Sequence, residues 1–286
     1  METQIIDGKK IAAEIRNDLK QQVAALDPKP VLAVILVGDD PASQIYVRHK
    51  MTTAAEIGVV VKLFQLSPVM TEEALIAFIQ DLNKDDSVNG MIVQLPLPRH
   101  MDAYRVLENI RPEKDVDGLC SANLGRLFAG RPAVVPCTPL ACMELIKRAC
   151  PNTDGLQAVI VGRSSLVGKP VAQLLLDAQC TITQAHSHTC HLDEVCRQAD
   201  ILVVATGKPN LIRKNFIKPG AVVIDVGINR NENGKLCGDV AFREALGVAG
   251  AITPVPGGVG PMTVTMLMAN VVAICQKAQK KGLTTP

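Results

Sequence analysis

Val31-Leu32-Ala33-Val34-Ile35-Leu36-Val37, closed by Gly38-Asp39-Asp40-Pro41, decides the fold class. Its apolar residues run continuously instead of alternating. A strand that is apolar on both faces must be covered on both, which places it in a parallel sheet with helices on either side. The segments around it fit that reading. Residues 9–25 carry Ile11, Ile15, Leu19 and Val23 at helical spacing. Helices are expected over about 42–57 and 71–84, and strands near 58–66 and over 90–94, the last stopped by Leu95-Pro96-Leu97-Pro98. Such βαβα alternation marks an α/β domain.

The pattern restarts after a loop-rich passage, Arg111-Pro-Glu-Lys-Asp-Val-Asp-Gly118, and a helix near 139–149. Strand Ala158–Val161 runs into a glycine turn, Gly162-Arg-Ser-Ser-Leu-Val-Gly168, and a helix. Further strands are expected near 180–185, 201–205 and 221–226, with a short one near 236–240. A Pro/Gly segment, Thr253 to Pro261, precedes a closing helix over about 262–281. The expected organisation is two α/β domains: 1–120 plus 262–286, completed by the last helix, and a Rossmann-like 121–261.

Composition removes several function classes. The 286 residues are 48% hydrophobic and 20% charged, ample for a packed core. A net charge of +2 and scattered Lys and Arg give no field to recruit nucleic acid or an anionic membrane. Trp is absent and Tyr occurs twice, so base-stacking platforms are not expected. The N-terminus has neither a basic nor an apolar signal region. No apolar stretch is read as approaching the ~20 residues that span a bilayer. Nine Cys without a C-x-x-C read as mostly buried small hydrophobes in a reducing compartment. A soluble, cytoplasmic protein with neither nucleic-acid nor membrane partners is expected.

The glycine turn is a dinucleotide candidate, because free N–H groups at a helix start favour a pyrophosphate. It departs from G-x-G-x-x-G, with Ser164 in the second glycine's place and a stretched spacing to Gly168. A P-loop reading fails: five residues separate the glycines, and Pro170 stands where Ser or Thr would hold magnesium. Charge then selects the cofactor. The second strand ends in Ala185-His186-Ser187, without the carboxylate that bonds NAD ribose hydroxyls. Arg163 in the turn suits a 2′-phosphate, so NADP is expected. His186-x-His188-x-Cys190-His191 has alternating spacing, but no second ligand pair accompanies it and no metal is expected.

A second constellation comprises Tyr46 and Lys50, four apart on one helix face, Gln94 at a strand's carboxyl end, Asp115 and Asp117, and the turn Pro256 to Pro261. Its glycines are read as permitting close backbone approach to a flat ligand. Taken singly these residues have plainer readings: a solvated lysine, a packing tyrosine, a strand-end cap and turn formers.

Longer stretches change those odds. Val37-Gly-Asp-Asp-Pro-Ala-Ser-Gln-Ile-Tyr-Val-Arg-His-Lys50, Val93-Gln-Leu-Pro-Leu-Pro98, Lys114-Asp-Val-Asp-Gly118, Pro136-Cys-Thr-Pro139, Val161-Gly-Arg-Ser164, His186-Ser187, Gly238-Asp-Val240 and Thr253 to Thr263 occur in order. Together they resemble the signature segments of the methylenetetrahydrofolate dehydrogenase/cyclohydrolase family, across essentially the whole chain. The resemblance implies an α/β enzyme with its active site in a cleft between a folate-binding catalytic domain and an NADP domain. It implies a homodimer and a place in one-carbon metabolism and purine biosynthesis. The implied reactions are NADP-dependent oxidation of 5,10-methylenetetrahydrofolate to the methenyl form, then hydrolysis to 10-formyltetrahydrofolate.

By the same resemblance Lys50 is the catalytic lysine, Tyr46 stacks on the aminobenzoate ring, Gln94 bonds Lys50, and Asp117 holds the pterin's amino edge. Leu95, Pro96, Gly257, Gly258 and Pro261 join the tetrahydrofolate site. Gly162, Arg163, Ser164, Val167 and Gly168 contact NADP, with His186, Ser187, Thr206, Gly207, Ile228 and Thr263. The chain departs from the family's frequent pattern at Thr52, Ala141 and Ala185. The rivals are a monofunctional dehydrogenase, a dehydrogenase of small hydroxy or amino acids, and a nucleotide-binding protein without turnover.

Overall fold

The computed structural model describes residues 2–283. In chain order it contains β1 (Gln4–Ile5), α1 (Gly8–Ala24), β2 (Val31–Val37), α2 (Pro41–Ile57), β3 (Val60–Leu66), α3 (Glu72–Lys84) and β4 (Gly90–Val93). The middle of the chain holds α4 (Ala103–Glu108), α5 (Ser121–Phe128), α6 (Cys137–Ala149), β5 (Gln157–Val161), α7 (Gly168–Asp177) and β6 (Thr181–Ala185). It continues with α8 (Leu192–Cys196), β7 (Ile201–Val204), β8 (Val222–Asp225), β9 (Asn229–Arg230), β10 (Leu236–Cys237), α9 (Phe242–Ala245), β11 (Ala251–Ile252) and α10 (Val259–Leu283).

Two compact units result: Met1–Ala13 with Thr138–Thr263, and Glu14–Cys137 with Val264–Pro286. The divisions fall inside α1, at the start of α6 and inside α10, whereas sequence reading drew them at 120/121 and 261/262. The N-terminal strand explains one difference, since β1 pairs with β11 in parallel, Gln4 opposite Ala251. Residues 284–286 of the expected first domain lie outside the described residues, as does Met1.

The unit built on Glu14–Cys137 holds a parallel three-stranded sheet, order β3-β2-β4. As its continuous apolarity requires, β2 is buried along nearly its whole length. Its Ala33, Ile35 and Val37 pack with Leu75 and Ile79 of α3 and Met91 of β4. Local chemistry sets the helix ends. The Asp40 carboxylate accepts from the Ser43 N–H at 2.7 Å, Pro41 opens α2, and Gly58 closes it at φ 87°. Thr71 caps α3 in the same way.

The other unit is a six-stranded parallel sheet, order β1-β11-β8-β7-β5-β6. Its core joins Val159, Val161, Leu202, Val204, Val223 and Ile252. β5 has β6 on one side and β7 on the other, so the strand order reverses there. Such a switch point opens a crevice at the carboxyl ends of the strands, where ligands bind in this architecture.

One expectation is corrected here. Among the described residues, the helical stretch Val259–Lys280 is long and apolar enough to cross a membrane by length and composition. Small and polar residues interrupt it in sequence, which hid its total length. Half of it is buried within the protein, with Met262 and Met268 inaccessible. Its apolarity serves the core.

Candidate active site and cofactor cradle

The carboxyl end of the three-stranded sheet gathers the expected catalytic groups. Lys50 lies on α2, which follows β2, and Gln94 follows β4 directly. The Lys50 ammonium donates to Gln94 Oε1 at 2.8 Å, while Gln94 Nε2 donates to the Leu95 carbonyl at 2.6 Å. Gln94 is 9% exposed and both ends of its amide are used, so it fixes the lysine's direction. Lys114-Asp115-Val116-Asp117 runs beside β4, since Met91 bridges Asp115 in parallel and its N–H donates to the Lys114 carbonyl. That pairing brings Asp117 to the same edge, where it acts on Lys50 electrostatically.

The two aspartates divide their work. Asp115, buried, accepts from the Gly118 and Cys120 N–H groups and from Asn123 Nδ2, at 3.0, 2.9 and 3.1 Å. It is the turn former. Asp117 faces the lysine. Burial pulls Lys50 below the ordinary lysine pKa, and Asp117 and Cys137 oppose it without prevailing. Burial likewise raises Asp117, against the pull of Lys50 and the nearby Cys137 thiol. Both displacements favour the neutral forms. Tyr46, one turn before Lys50, leaves 46% of its surface exposed and offers a ring face.

Sequence reading missed two members of this cluster. Buried Cys137, its thiol pushed well up by burial and Asp117, donates to the Val116 carbonyl at 3.4 Å. Asn270 on α10 donates to the Val116 and Val135 carbonyls at 2.9 and 3.0 Å. The Pro-Cys-Thr-Pro motif signalled the first; nothing in the apolar run of α10 signalled the second.

Pro256–Pro261 belongs to the other unit, not with Lys50 and Gln94. The close approach that its glycines permit is to the chain itself. A Cβ on Gly8 would strike the Gly258 carbonyl oxygen, and the Lys9 N–H donates to Gly257 O at 3.2 Å. Gly257 sits at φ 110°. Gly8 is therefore required by its packing against this turn, while a Cβ on Gly258 would meet the Pro254 carbonyl and one on Gly260 would meet nothing within 4 Å.

The expected NADP residues stand at the carboxyl ends of β5, β6, β7 and β8, around the switch point. Gly162 adopts φ 132°, and a Cβ there would meet the Ala205 carbonyl; one on Gly168 would meet the Gly162 carbonyl. Only glycine closes this turn. Ser164 Oγ accepts from the Val167 and Gly168 N–H groups at 3.1 and 3.4 Å. The serine in the second glycine's place therefore caps α7 itself, and those two donors are not free as expected. Arg163 and Ser187 are exposed, and Arg163 makes no ion pair among the described residues. An exposed guanidinium and hydroxyl at adjacent strand ends fit a dinucleotide phosphate. Thr206 and Gly207 follow β7, and Ile228, 54% exposed, follows β8. Thr263 lies on α10, its Oγ1 3.3 Å from that of Thr138.

No three His, Cys, Asp or Glu side chains among the described residues gather as a metal site. His186 and His188 stack edge to face at 6.1 Å, and His186 Nδ1 accepts from the His188 N–H.

A lysine held by a glutamine amide at one parallel-sheet edge, and a glycine turn at the switch point of another, define a two-domain α/β dinucleotide-dependent enzyme. The chain belongs to the tetrahydrofolate dehydrogenase/cyclohydrolase family: residues 6–117 match that family's catalytic domain and residues 136–279 its NAD(P)-binding domain. A bifunctional protein FolD of Listeria innocua is 50% identical over 97% of this chain and 99% of its own. One from Acetivibrio thermocellus is 53% identical over 95% and 96%. The solved FolD methylenetetrahydrofolate dehydrogenase/cyclohydrolase of Campylobacter jejuni superposes with a TM-score of 0.94 at 44% identity, covering 96% of this chain and 99% of its own. The Trypanosoma brucei enzyme, solved with NADP and an inhibitor, gives 0.92 at 39% identity, covering 98% and 99%.

Proposed function

We propose that this chain oxidises 5,10-methylenetetrahydrofolate with NADP and hydrolyses the methenyl product to 10-formyltetrahydrofolate, using Lys50, Gln94, Asp117 and Tyr46. The observation that carries the catalytic assignment is the 2.8 Å bond from Lys50 to Gln94 Oε1 beside Asp117. When bound, NADP supplies the acceptor for the hydride that leaves the methylene carbon. Arg163 and Ser187 hold its 2′-phosphate, and Gly162 to Gly168 line its pyrophosphate. The oxidation needs no protein base, only a held substrate. Tyr46 presents its ring to the aminobenzoate, and Asp117 accepts from the pterin's amino edge. Leu95 and Pro96 extend the tetrahydrofolate site.

Hydrolysis does need a base. Water adds to the cationic methenyl carbon and a proton must leave. Lys50, its pKa lowered by burial, takes that proton as the neutral amine and releases it to solvent. The carbinolamine then opens at its C–N5 bond, its hydroxyl proton passing to N5, and the formyl group stays on N10. Gln94 keeps the amine aimed by accepting one of its N–H groups. A cytoplasmic homodimer feeding formyl groups to purine biosynthesis completes the reading; sedimentation tests the dimer.

Absorbance of the purified protein with 5,10-methylenetetrahydrofolate and either NADP or NAD tests the whole. NADPH formation with passage through the methenyl species is the expected result. NAD-selective turnover would remove the Arg163 assignment. Binding of NADP without turnover would remove the catalytic one.

A further inference from the structure

Gly238-Asp239-Val240 recurs in the family-like segments without a role, and the structure supplies one. Asp239 is fully buried, with no cation among its hydrogen-bond partners. One carboxylate oxygen accepts from the Thr206 N–H at 2.6 Å, the Thr206 hydroxyl at 2.9 Å and the Gly207 N–H at 3.0 Å. The other accepts from Asn229 Nδ2 at 2.8 Å. One side chain thus ties the loop after β7 to the segment after β8, next to Thr206, Gly207 and Ile228.

Asp239 is itself held. Asp225, the last residue of β8, accepts from the backbone N–H groups of Gly227, Asp239 and Val240 at 3.0, 2.9 and 2.9 Å. A Cβ on Gly227 would collide with the Asp239 carboxylate, and one on Gly238 with that of Asp225. Both glycines therefore exist to let two buried carboxylates lie against main chain. Burying a carboxylate without a counter-ion is costly unless its oxygens are filled with donors, and here they are. A fold needing only a strand connection would not require that expense.

We propose that Asp239, anchored by Asp225, is a positioning residue that sets the cofactor-facing conformation of Thr206–Gly207 and Ile228–Asn229. The inference rests on the reading of those loops as part of the NADP site. Calorimetric NADP affinity and cyclohydrolase rate are to be measured on the full-length Asp239→Asn protein. The amide turns an N–H donor toward N–H groups or leaves Asn229 unpaired, so the NADP Kd rises about tenfold or more. The hydrolytic rate, whose Lys50 and Gln94 lie in the other unit, stays within about twofold. Should Asp239→Asn not fold, Asn229→Ala, which removes one bond from the same carboxylate, is expected to raise the Kd about threefold. Unchanged NADP affinity, or equal loss of affinity and hydrolysis, overturns the positioning role. Arg163→Ala separates the two readings. If it weakens NADP binding while Asp239→Asn and Asn229→Ala do not, only the positioning role fails. If it leaves NADP binding unchanged, the cofactor site itself is misplaced.

Discussion

At Lys50, burial and the Asp117 carboxylate pull the ammonium in opposite directions, and burial prevails. Replacing the lysine by methionine keeps the bulk but removes the base. Lys50→Met is therefore expected to abolish methenyltetrahydrofolate hydrolysis while NADPH formation persists, checked by following both steps in one absorbance trace. Unimpaired hydrolysis would refute the assignment. Asp117→Asn removes the charge that raises the Lys50 pKa. The pH at which the hydrolytic rate reaches half its alkaline plateau should then move downward, since the amine loses its proton more easily; a shift upward contradicts the coupling. Arg163→Ala should lower the NADP-over-NAD preference roughly tenfold or more, the scale of one charge-assisted hydrogen bond. Of these residues, Lys50, Tyr46 and Gln94 were legible through the family-like stretches that hold them, since spacing and strand end alone left plainer readings. The resemblance also singled out Asp117 over Asp115; the physical reason, a loop held in register by the pairing of Met91 with Asp115, came only from the structure.

Strand β8 ends in a buried acid whose pKa is pushed up to about 6, chiefly by burial. Three backbone donors resist this, and the neighbouring Asp239 adds to it. An acid with a raised folded pKa binds more protons folded than unfolded, so its contribution to stability falls as pH rises from about 4 through 6. The displacement from 3.8 to about 6 corresponds to ~3 kcal/mol. Asp225→Asn abolishes that titration. Its destabilisation relative to wild type should be greater at pH 4 than at pH 7 by up to about 3 kcal/mol, read from urea unfolding. A difference independent of pH would mean that Asp225 is not protonated near pH 6. The strands and long helices were legible as elements because their apolar periods exceed a turn or a pleat. Two-residue strands such as β1 and β11 carry no period and exist only through their partners, β1 on β11 and β11 on β8.

For the molecule as a whole, two glycines report opposite things. Gly8→Ala places a methyl on the Gly258 carbonyl and should cost about 1–3 kcal/mol, or more where the backbone cannot yield. Gly260→Ala meets nothing within 4 Å at the start of α10 and should leave the thermal midpoint unchanged or raised. Scanning calorimetry of the pair decides whether Pro256–Pro261 is held by the start of α1; equal effects would contradict it. The sequence by itself determined the parallel-sheet class, the two-domain plan, the glycine turn and the signature residues, because continuous apolarity and fixed motifs are local properties. Only the tertiary structure decided that Ser164 caps a helix, that Asp115 builds a turn, and that α10 spends its apolarity on the core. It also decided that Asp225 and Asp239 tie the loop after β7 to the segment after β8. For Asp225 and Asp239 the reason is that distant backbone donors arrive at a side chain, which strand order and packing set, whereas the backbone donors to Ser164 and Asp115 lie three to five residues along and needed only the turn's actual shape.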